Sequence, residues 1–585
     1  MTLILNSPET FAAESLAGFV AANGTRVRPA PGGVVRSTVR APGKVAVVVG
    51  GGSGHYPAFA GVVGDGLADG AVCGDVFASP STRQVMDICR AVDQGAGVWL
   101  SFGNYAGDVL NFSAAATRLR AQGMRVALLA VTDDVASASP AERHRRRGVA
   151  GDLVVFKVAG AAAEAGYDLD AVEAVAARAN DRTRSFGAAF DGCTLPGADA
   201  PLFTLPAGTI AWGLGVHGEP GVGDGELPSA DELAAELVRR VLEDAPADGG
   251  SRVAVLLNGL GSVKYEELFV LWDAVRPLLE AAGLDVVAPE VGELVTSLDM
   301  AGCSLTVAWL DDELERLWLA PADSPAFRRT ASAPLDPTPV PVGAALPAVE
   351  ASTEVGQQAG VCVKQAVEAV SALLRDLEDE LGRLDAVAGD GDHGRGMVKG
   401  TSAAVRAATA ADQAGAGAAT VLVHAGEAWA NKAGGTSGVL WGAALAAVGE
   451  RLGDDSAEIT GSTVAAAVRA GLDAITSLGK AKVGDKTMVD ALVPFVDTLE
   501  RQTDAGAHLS AAWAAAADAA DQAAQATARL KPRVGRARPL AERSLGTPDA
   551  GALSFALCAR TAGAVLGRPD QSQPRPRQPG WEVTS

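Results

Sequence analysis

Three aspartates carry the sharpest chemical signal in the chain. In LDAVAGDGDHGRGM, Leu384 to Met397, Asp385, Asp390 and Asp392 are separated only by small residues, with glycines around the last two. That spacing puts three carboxylates on one tight loop at a helix entrance, where they repel one another unless a cation lies among them. Hard oxygen ligands select Mg²⁺ or Ca²⁺, and the calcium loop with its closing glutamate is absent. Magnesium that keeps positions open for phosphate oxygens fits better. A helix cap would explain Asp385 alone and leave Asp390 and Asp392 without a role. AGGTSG, Ala433 to Gly438, offers amides and hydroxyls to an anion at a helix start. GDKTMVDA, from Gly484, and GRARPLAERSLGTPDAGA, from Gly535, are turn-rich interruptions whose plainest role is to connect helices.

A second set of reactive residues lies in the other half. VAVVVGGGSGHYPAF, Val45 to Phe59, runs from β-branched residues into glycines and then His55. GNYAGDVLNF contains Asp108, and GLGVHGEPG contains His217. Each reads as a strand followed by small residues and a reactive group, the place where ligands of parallel sheets bind. The glycine pattern is neither a dinucleotide fingerprint nor a phosphate loop. His217, flanked by Val216 and Gly218, is open enough to act as nucleophile or base, with His55 and Asp108 as an acid/base pair beside it. Metal binding by two histidines and an aspartate competes, without an HxH or HExxH pattern to support it. Simple turn capping also remains open for each patch taken singly.

Stepping outward, residues 1–330 alternate strand-like and helix-like segments, with strands expected at 45–49, 97–102, 125–131, 209–213, 252–257 and 303–310. Such alternation predicts an α/β domain, in two lobes because a turn-rich stretch at 190–208 interrupts it. The proline-rich stretch 331–351 reads as an extended linker. Residues 352–570 change to alanine-rich segments of helical period, about eight of them, which predicts an all-α domain. Residues 571–585 lose the apolar pattern and read as a disordered tail.

The chain has 585 residues, 48% hydrophobic and 20% charged, enough for two or more cores. Its formal charge of −21 argues against a nucleic-acid surface. Six scattered cysteines without framework spacing suit a reducing cytoplasm. No long apolar run or signal-peptide pattern is evident, so a soluble, unexported chain without membrane insertion is expected.

Taken together, GGGSGH, GNYAGDVLNF and GLGVHGEPG resemble the substrate domain of dihydroxyacetone kinases, and LDxxxGDGDxG, GGTSG, GDKTM and ERSLGxPDxGA resemble their nucleotide domain. The likeness spans nearly the whole chain in the family's order. It implies an N-terminal α/β ketose-binding domain and a C-terminal eight-helix barrel. It also implies a short ketose held as a hemiaminal on His217, with His55 and Asp108 as acid/base groups and Gly52, Ser53 and Gly54 lining the pocket. ATP with two Mg²⁺ would be held by Asp385, Asp390 and Asp392. The nucleotide would be surrounded by His393, Gly394, Arg395, Gly396, Thr436, Ser437, Gly479, Met488, Arg536 and the turn Asp549, Ala550, Gly551. Both domains in one chain resemble the ATP-dependent branch, whose members are typically homodimers in which one chain's nucleotide domain serves the other's ketose site.

Two departures bear on substrate. The family usually reads GGGSGHEP where this chain has Tyr56, and KNYTGD where it has Gly103. Exchanging a lysine for glycine opens space and removes a donor, which points to a larger ketose. Erythrulose, with one more hydroxymethylene carbon, is the expected substrate, with activity on dihydroxyacetone. A plain dihydroxyacetone kinase is the alternative within the family, and a catalytically silent ketose-binding regulator the alternative outside enzymes.

Overall fold

The computed structural model describes residues 4–330, 349–455, 459–534 and 538–566. The chain divides into two compact units, Met1–Thr338 and Pro339–Ser585. Most of the expected linker and the whole expected tail lie outside the described residues, as does Arg536.

The first unit holds two large sheets. One contains β1 (Val27–Ala30), β2 (Gly33–Arg36), β3 (Ala46–Ser53), β4 (Gly70–Val76), β5 (Val98–Gly103) and β6 (Val126–Val131) in the spatial order β1-β2-β4-β3-β5-β6. Strands β4, β3, β5 and β6 are parallel, and β1 and β2 add an antiparallel edge. The run that made β3 recognisable is apolar throughout because both its faces are covered. Val47 and Val49 face one core cluster, Ala46 and Val48 the other. From β3 the chain passes to β4 on one side and later to β5 on the other, so the crevice beyond the ends of β3 and β5 is a topological switch point.

The second sheet is mostly antiparallel. It comprises β7 (Thr183–Asp191), β8 (Thr209–Trp212), β9 (Gly223–Glu226), β10 (Arg252–Gly259), β11 (Asp285–Val286), β12 (Glu290–Gly292) and β13 (Ala301–Trp309). Two sheets give two lobes, but the division falls before β7: the turn-rich stretch at 190–208, expected to separate the lobes, joins β7 to β8 within the second sheet. Between the two sheets runs the helix Gly151–Glu164, buried along Gly151–Ala163. Its sequence, GDLVVFKVAGAAAE, is apolar around most of its surface, as suits a helix enclosed by protein, with Asp152 and Lys157 the buried exceptions. All six expected strands form. The strands β1, β2, β4, β7, β9, β11 and β12 were not anticipated, because they are short or carry glycine, arginine or aspartate within them.

In the second unit, the described residues form nine α-helices. Eight of them close a ring: Glu354–Asp376, His393–Gln413, Ala418–Ala433, Gly435–Leu452, Gly461–Gly479, Val489–Asp504, Leu509–Ala526 and Ala550–Leu566, each packed on the next and the last on the first. Alanine favours both halves of this design, combining high helix propensity with a side chain small enough for close packing. The ninth helix, Glu378–Asp385, arises because the first expected helix breaks at Leu377. It delivers Asp385 to the loop that precedes His393.

Candidate active site

The glycines after β3 make room for a ring. A Cβ on Gly51 would lie 2.3 Å from the Phe59 ring, so only glycine lets this strand end pass there. Gly54 has φ +102°, a left-handed turn that carries the chain to His55. His55 is buried, and its Nδ1 lies 2.7 Å from the Thr296 carbonyl. A carbonyl can only accept, so Nδ1 carries the proton and Nε2 presents a lone pair.

That lone pair faces His217. The two Nε2 atoms are 3.0 Å apart, so His217 Nε2 donates to His55. On the other side of the ring, His217 Nδ1 donates to Glu219 Oε1 at 2.9 Å, and the His217 amide donates to Glu219 Oε2 at 3.0 Å. Burial works against ionisation of Glu219, yet the His217 contacts hold its carboxyl down at about 2. Burial, with the neighbouring His217 charge, holds His55 down to about 4. At neutral pH His55 is therefore an acceptor, and His217 is oriented by a full carboxylate.

The second sheet fixes this pair. Asn258, at the end of β10, accepts from the amides of Leu294 and Val295 at 2.8 and 3.0 Å and donates to the Val295 carbonyl. The segment so pinned continues into Thr296, which receives His55, and Ser297, whose hydroxyl donates to the Val216 carbonyl. One asparagine thus sets the positions of both histidines.

Asp108 enters from the first sheet, in the first turn of the helix Ala106–Ala121 that follows β5. Burial raises its carboxyl to about 6, against contacts with Ser79 and His217 that lower it, and its Oδ1 has no hydrogen-bond partner. His55, Asp108 and His217 line one cavity of about 190 Å³ together with Gly52 and Gly103. Ser53, Gly54 and Tyr56 do not line it. Ser53 donates to the Gly74 carbonyl, and the Tyr56 ring is half exposed and edge-on to Phe19. The Tyr56 ring therefore lies outside the cavity that its neighbour His55 enters.

Three lining groups escaped sequence reading. Phe77 stacks on His55 with ring centroids 5.0 Å apart, and Tyr105 stands edge-on to His217 at 5.0 Å. Asp152 lines the far wall. Glu219 was also missed, although it stands two residues from His217 inside a motif that drew notice.

In the second unit, one oxygen from each of Asp385, Asp390 and Asp392 lies within 4.8 Å of the others. The loop folds back because the Gly391 amide donates to Asp385 Oδ2 at 2.9 Å. Three carboxylates gathered at this range could hold a hard divalent cation. Asp385, Asp549 and Ala550 line one small cavity with Lys486. Burial, with Asp490 and Asp385 nearby, raises the Asp549 carboxyl to about 6. Lys486, missed in sequence, is buried and ties the GDKTM turn to the Ser544 carbonyl at 2.7 Å. Asp490 tightens the same turn, accepting from the amides of Gly484 and Thr487.

The remaining expected nucleotide residues divide into two groups. His393 Nε2 contacts Ser554 Oγ at 2.9 Å, and a Cβ on Gly394 would lie 2.0 Å from the Glu378 carbonyl oxygen, so both serve helix packing. Met488 is buried, and a Cβ on Gly551 would come within 3.6 Å of it. Arg395, Thr436 and Ser437 are exposed in first turns of their helices, with Gly396 half buried beside Arg395. Gly479 ends its helix beside Leu440, one turn along from Thr436.

Residues 17–326 match the Dak1 domain and residues 387–564 the DAK2 domain. The chain belongs to the dihydroxyacetone kinase family. It is 56% identical to the D-erythrulose kinase of Mycolicibacterium smegmatis, over 96% of this chain and 98% of that one. It is 55% identical to the L-erythrulose kinase of Pectobacterium atrosepticum, over 97% of each. Among solved structures it resembles the dihydroxyacetone kinase from C. freundii in complex with AMP-PNP and Mg²⁺, with 31% identity, a TM-score of 0.60, and 96% and 99% of the two chains covered. Family membership thus extends over both units.

Proposed function

We propose that the chain is an ATP-dependent ketose kinase that phosphorylates a terminal hydroxyl of erythrulose, with activity on dihydroxyacetone. The observation that carries this reading is His217, aimed into a cavity with a carboxylate behind it and a neutral histidine in front. The full-length likeness to erythrulose kinases supports the choice of substrate.

The geometry favours covalent capture. His217 Nε2 passes its proton to His55 Nε2 across the 3.0 Å contact and gains a lone pair. That pair attacks the ketose carbonyl carbon as the C=O π bond breaks, and the new alkoxide takes the proton from His55. The product is a hemiaminal whose imidazolium charge is balanced by Glu219. Polyols lacking a carbonyl cannot be held this way. Asp108, ionised above about pH 6, accepts the proton of the terminal hydroxyl as its oxygen attacks the γ-phosphorus and ADP leaves.

Asp385, Asp390 and Asp392 would hold two Mg²⁺, which neutralise charge on the phosphates and leave the in-line transfer to positioning. Asp549, Lys486 and the exposed first turns at Arg395 and Thr436 are placed to surround the nucleotide. The reading includes a homodimer in which the nucleotide unit of one chain serves the ketose site of the other. A cytoplasmic location fits six free cysteines, of which the thiols of Cys73, Cys89, Cys303 and Cys558 are pushed by burial up to about 12.

The test is ADP release with Mg-ATP against dihydroxyacetone, D-erythrulose, L-erythrulose and glycerol, compared as kcat/KM. Preference for one erythrulose supports the reading, preference for dihydroxyacetone replaces it with a triose kinase, and no turnover on any ketose overturns it. Glycerol turnover equal to that of the ketoses would exclude carbonyl capture.

A further inference from the structure

The ketose cavity contains more polar groups than capture and transfer require. Asp152, in the first turn of the Gly151–Glu164 helix, is 3% exposed, and its Oδ1 has no hydrogen-bond partner. The helix end does not employ it: Asp133 accepts from the amides of Val149 and Gly151 at 2.9 and 2.8 Å. Asp134 is paired with Arg147, and Glu219 with His217. Tyr105 Oη is likewise buried without a partner on the same cavity wall. A native interior rarely leaves such atoms unsatisfied, and when it does a ligand commonly completes them.

Gly103 lies against both groups. A Cβ on Gly103 would come within 3.2 Å of the Gly148 carbonyl oxygen, 3.3 Å of the Tyr105 ring and 3.4 Å of Asp152 Oδ2, so any side chain there would press on both groups. A lysine would also set an amine beside the carboxyl. With glycine, the carboxyl and the phenol are left facing the cavity that they line.

We propose that Gly103, Tyr105 and Asp152 form a hydroxyl-binding subsite that receives the additional hydroxymethylene unit of a four-carbon ketose and selects it over dihydroxyacetone. The inference rests on the reading of this cavity as a ketose site. Burial, with Asp133 and Asp108 nearby, raises the Asp152 carboxyl well above the usual range. A neutral carboxylic acid can both donate to and accept from a sugar hydroxyl, whereas Asp108 in the same cavity stays available as a base. The two acids are thereby given different tasks.

The experiment measures kcat/KM for the preferred erythrulose and for dihydroxyacetone in the wild type and in Asp152→Ala, Tyr105→Phe and Gly103→Lys. The erythrulose-to-dihydroxyacetone ratio should fall about 10- to 100-fold in Asp152→Ala, mostly through KM, and less in Tyr105→Phe. Gly103→Lys should reverse the preference. Because the ratio is internal to each sample, a fraction of misfolded protein does not alter it. Should Asp152→Ala fail to fold, the other two variants decide. Wild-type ratios in the variants that fold overturn the subsite while leaving the kinase reading intact. A wild type that prefers dihydroxyacetone overturns the subsite together with the choice of erythrulose and leaves a triose kinase, and one inert on every ketose overturns the kinase reading as well.

Discussion

The two candidate sites are built on opposite plans. The candidate ketose cavity has buried walls, set at the ends of buried strands, and burial raises the carboxyls of Asp108 and Asp152. The aspartate loop is open, set between helix ends, with Asp390 and Asp392 exposed. Buried walls limit water around the reacting groups, so one nitrogen and one carboxylate can act on a small neutral molecule. An exposed acidic site can bind a hydrated cation and exchange a highly charged nucleotide. On the proposed function, capture would depend on preformed geometry, and transfer on an added charge.

The largest effect should come from disabling each site separately. Asp390→Ala should reduce ATP turnover by at least about 1000-fold, roughly 4 kcal/mol of transition-state stabilisation, while ketose still adds to His217. Borohydride-free intact mass spectrometry on the protein with ketose and without nucleotide reads the adduct directly. His217→Ala should abolish the adduct and lower turnover comparably, with the magnesium response retained. Loss of the adduct in Asp390→Ala with unchanged melting would break the separation of the two sites.

The same contrast governs what could be read from sequence. The open site was legible almost completely, because its three aspartates are close together in the chain and need no tertiary structure to meet. The buried-walled site was legible where a motif repeated a plan, a strand followed by glycine and a reactive group, as at His55, Asp108 and His217. It was not legible where the chain returns from a distance. Asp152 stands in GVAGDLVVF, a segment whose pattern announces only a buried helix, and nothing local says that its carboxyl faces a cavity. Asn258, which positions both histidines through the 294–297 segment, has no sequence signal at all. Tyr56 lies outside the cavity for the converse reason, since adjacency in sequence to His55 does not carry through a turn that sends the two side chains apart. In the helical unit, the ring was legible from period and alanine content, but the break at Leu377 had neither proline nor glycine to mark it.

A second test sharpens the claim that burial tunes the ketose site. Asp108 must be ionised to act as a base, so turnover should fall as pH drops through about 6. Asp108→Asn should remove that limb and cost about 100- to 10000-fold in kcat. Stability should move the other way. The folded carboxyl is raised above the ordinary 3.8, so the fold favours its neutral form, and the contribution is full below about pH 4 and lost as pH rises through 6. At pH 8 the ionised group costs at most about 3 kcal/mol, which asparagine relieves. Urea midpoints should therefore be higher for Asp108→Asn at pH 8 and equal to wild type near pH 4. Equal midpoints at both values would show that the cavity solvates Asp108 and that burial does not set its role.

The smallest effect tests whether the open site is the one that waits for a cation. A ligand that binds only the folded state stabilises it by RT ln(1 + [L]/Kd), about 3 kcal/mol at a hundredfold excess over Kd. In a domain of this size that shift raises a melting midpoint by several degrees. Because the aspartates belong to one compact unit and the histidines to the other, magnesium should move the melting of the helical unit and leave the α/β unit where it was. Ketose without nucleotide should do the reverse, through the bond to His217. Scanning calorimetry with each ligand added alone resolves the two responses. Replacing Asp392 by Asn should halve or remove the magnesium shift without touching the ketose shift, because the carboxylate it removes is repelled by its neighbours until a cation arrives. If magnesium instead stabilised both units equally, the cation would be acting on the folded chain as a whole, and the division of labour between a buried-walled site and an exposed one would fail.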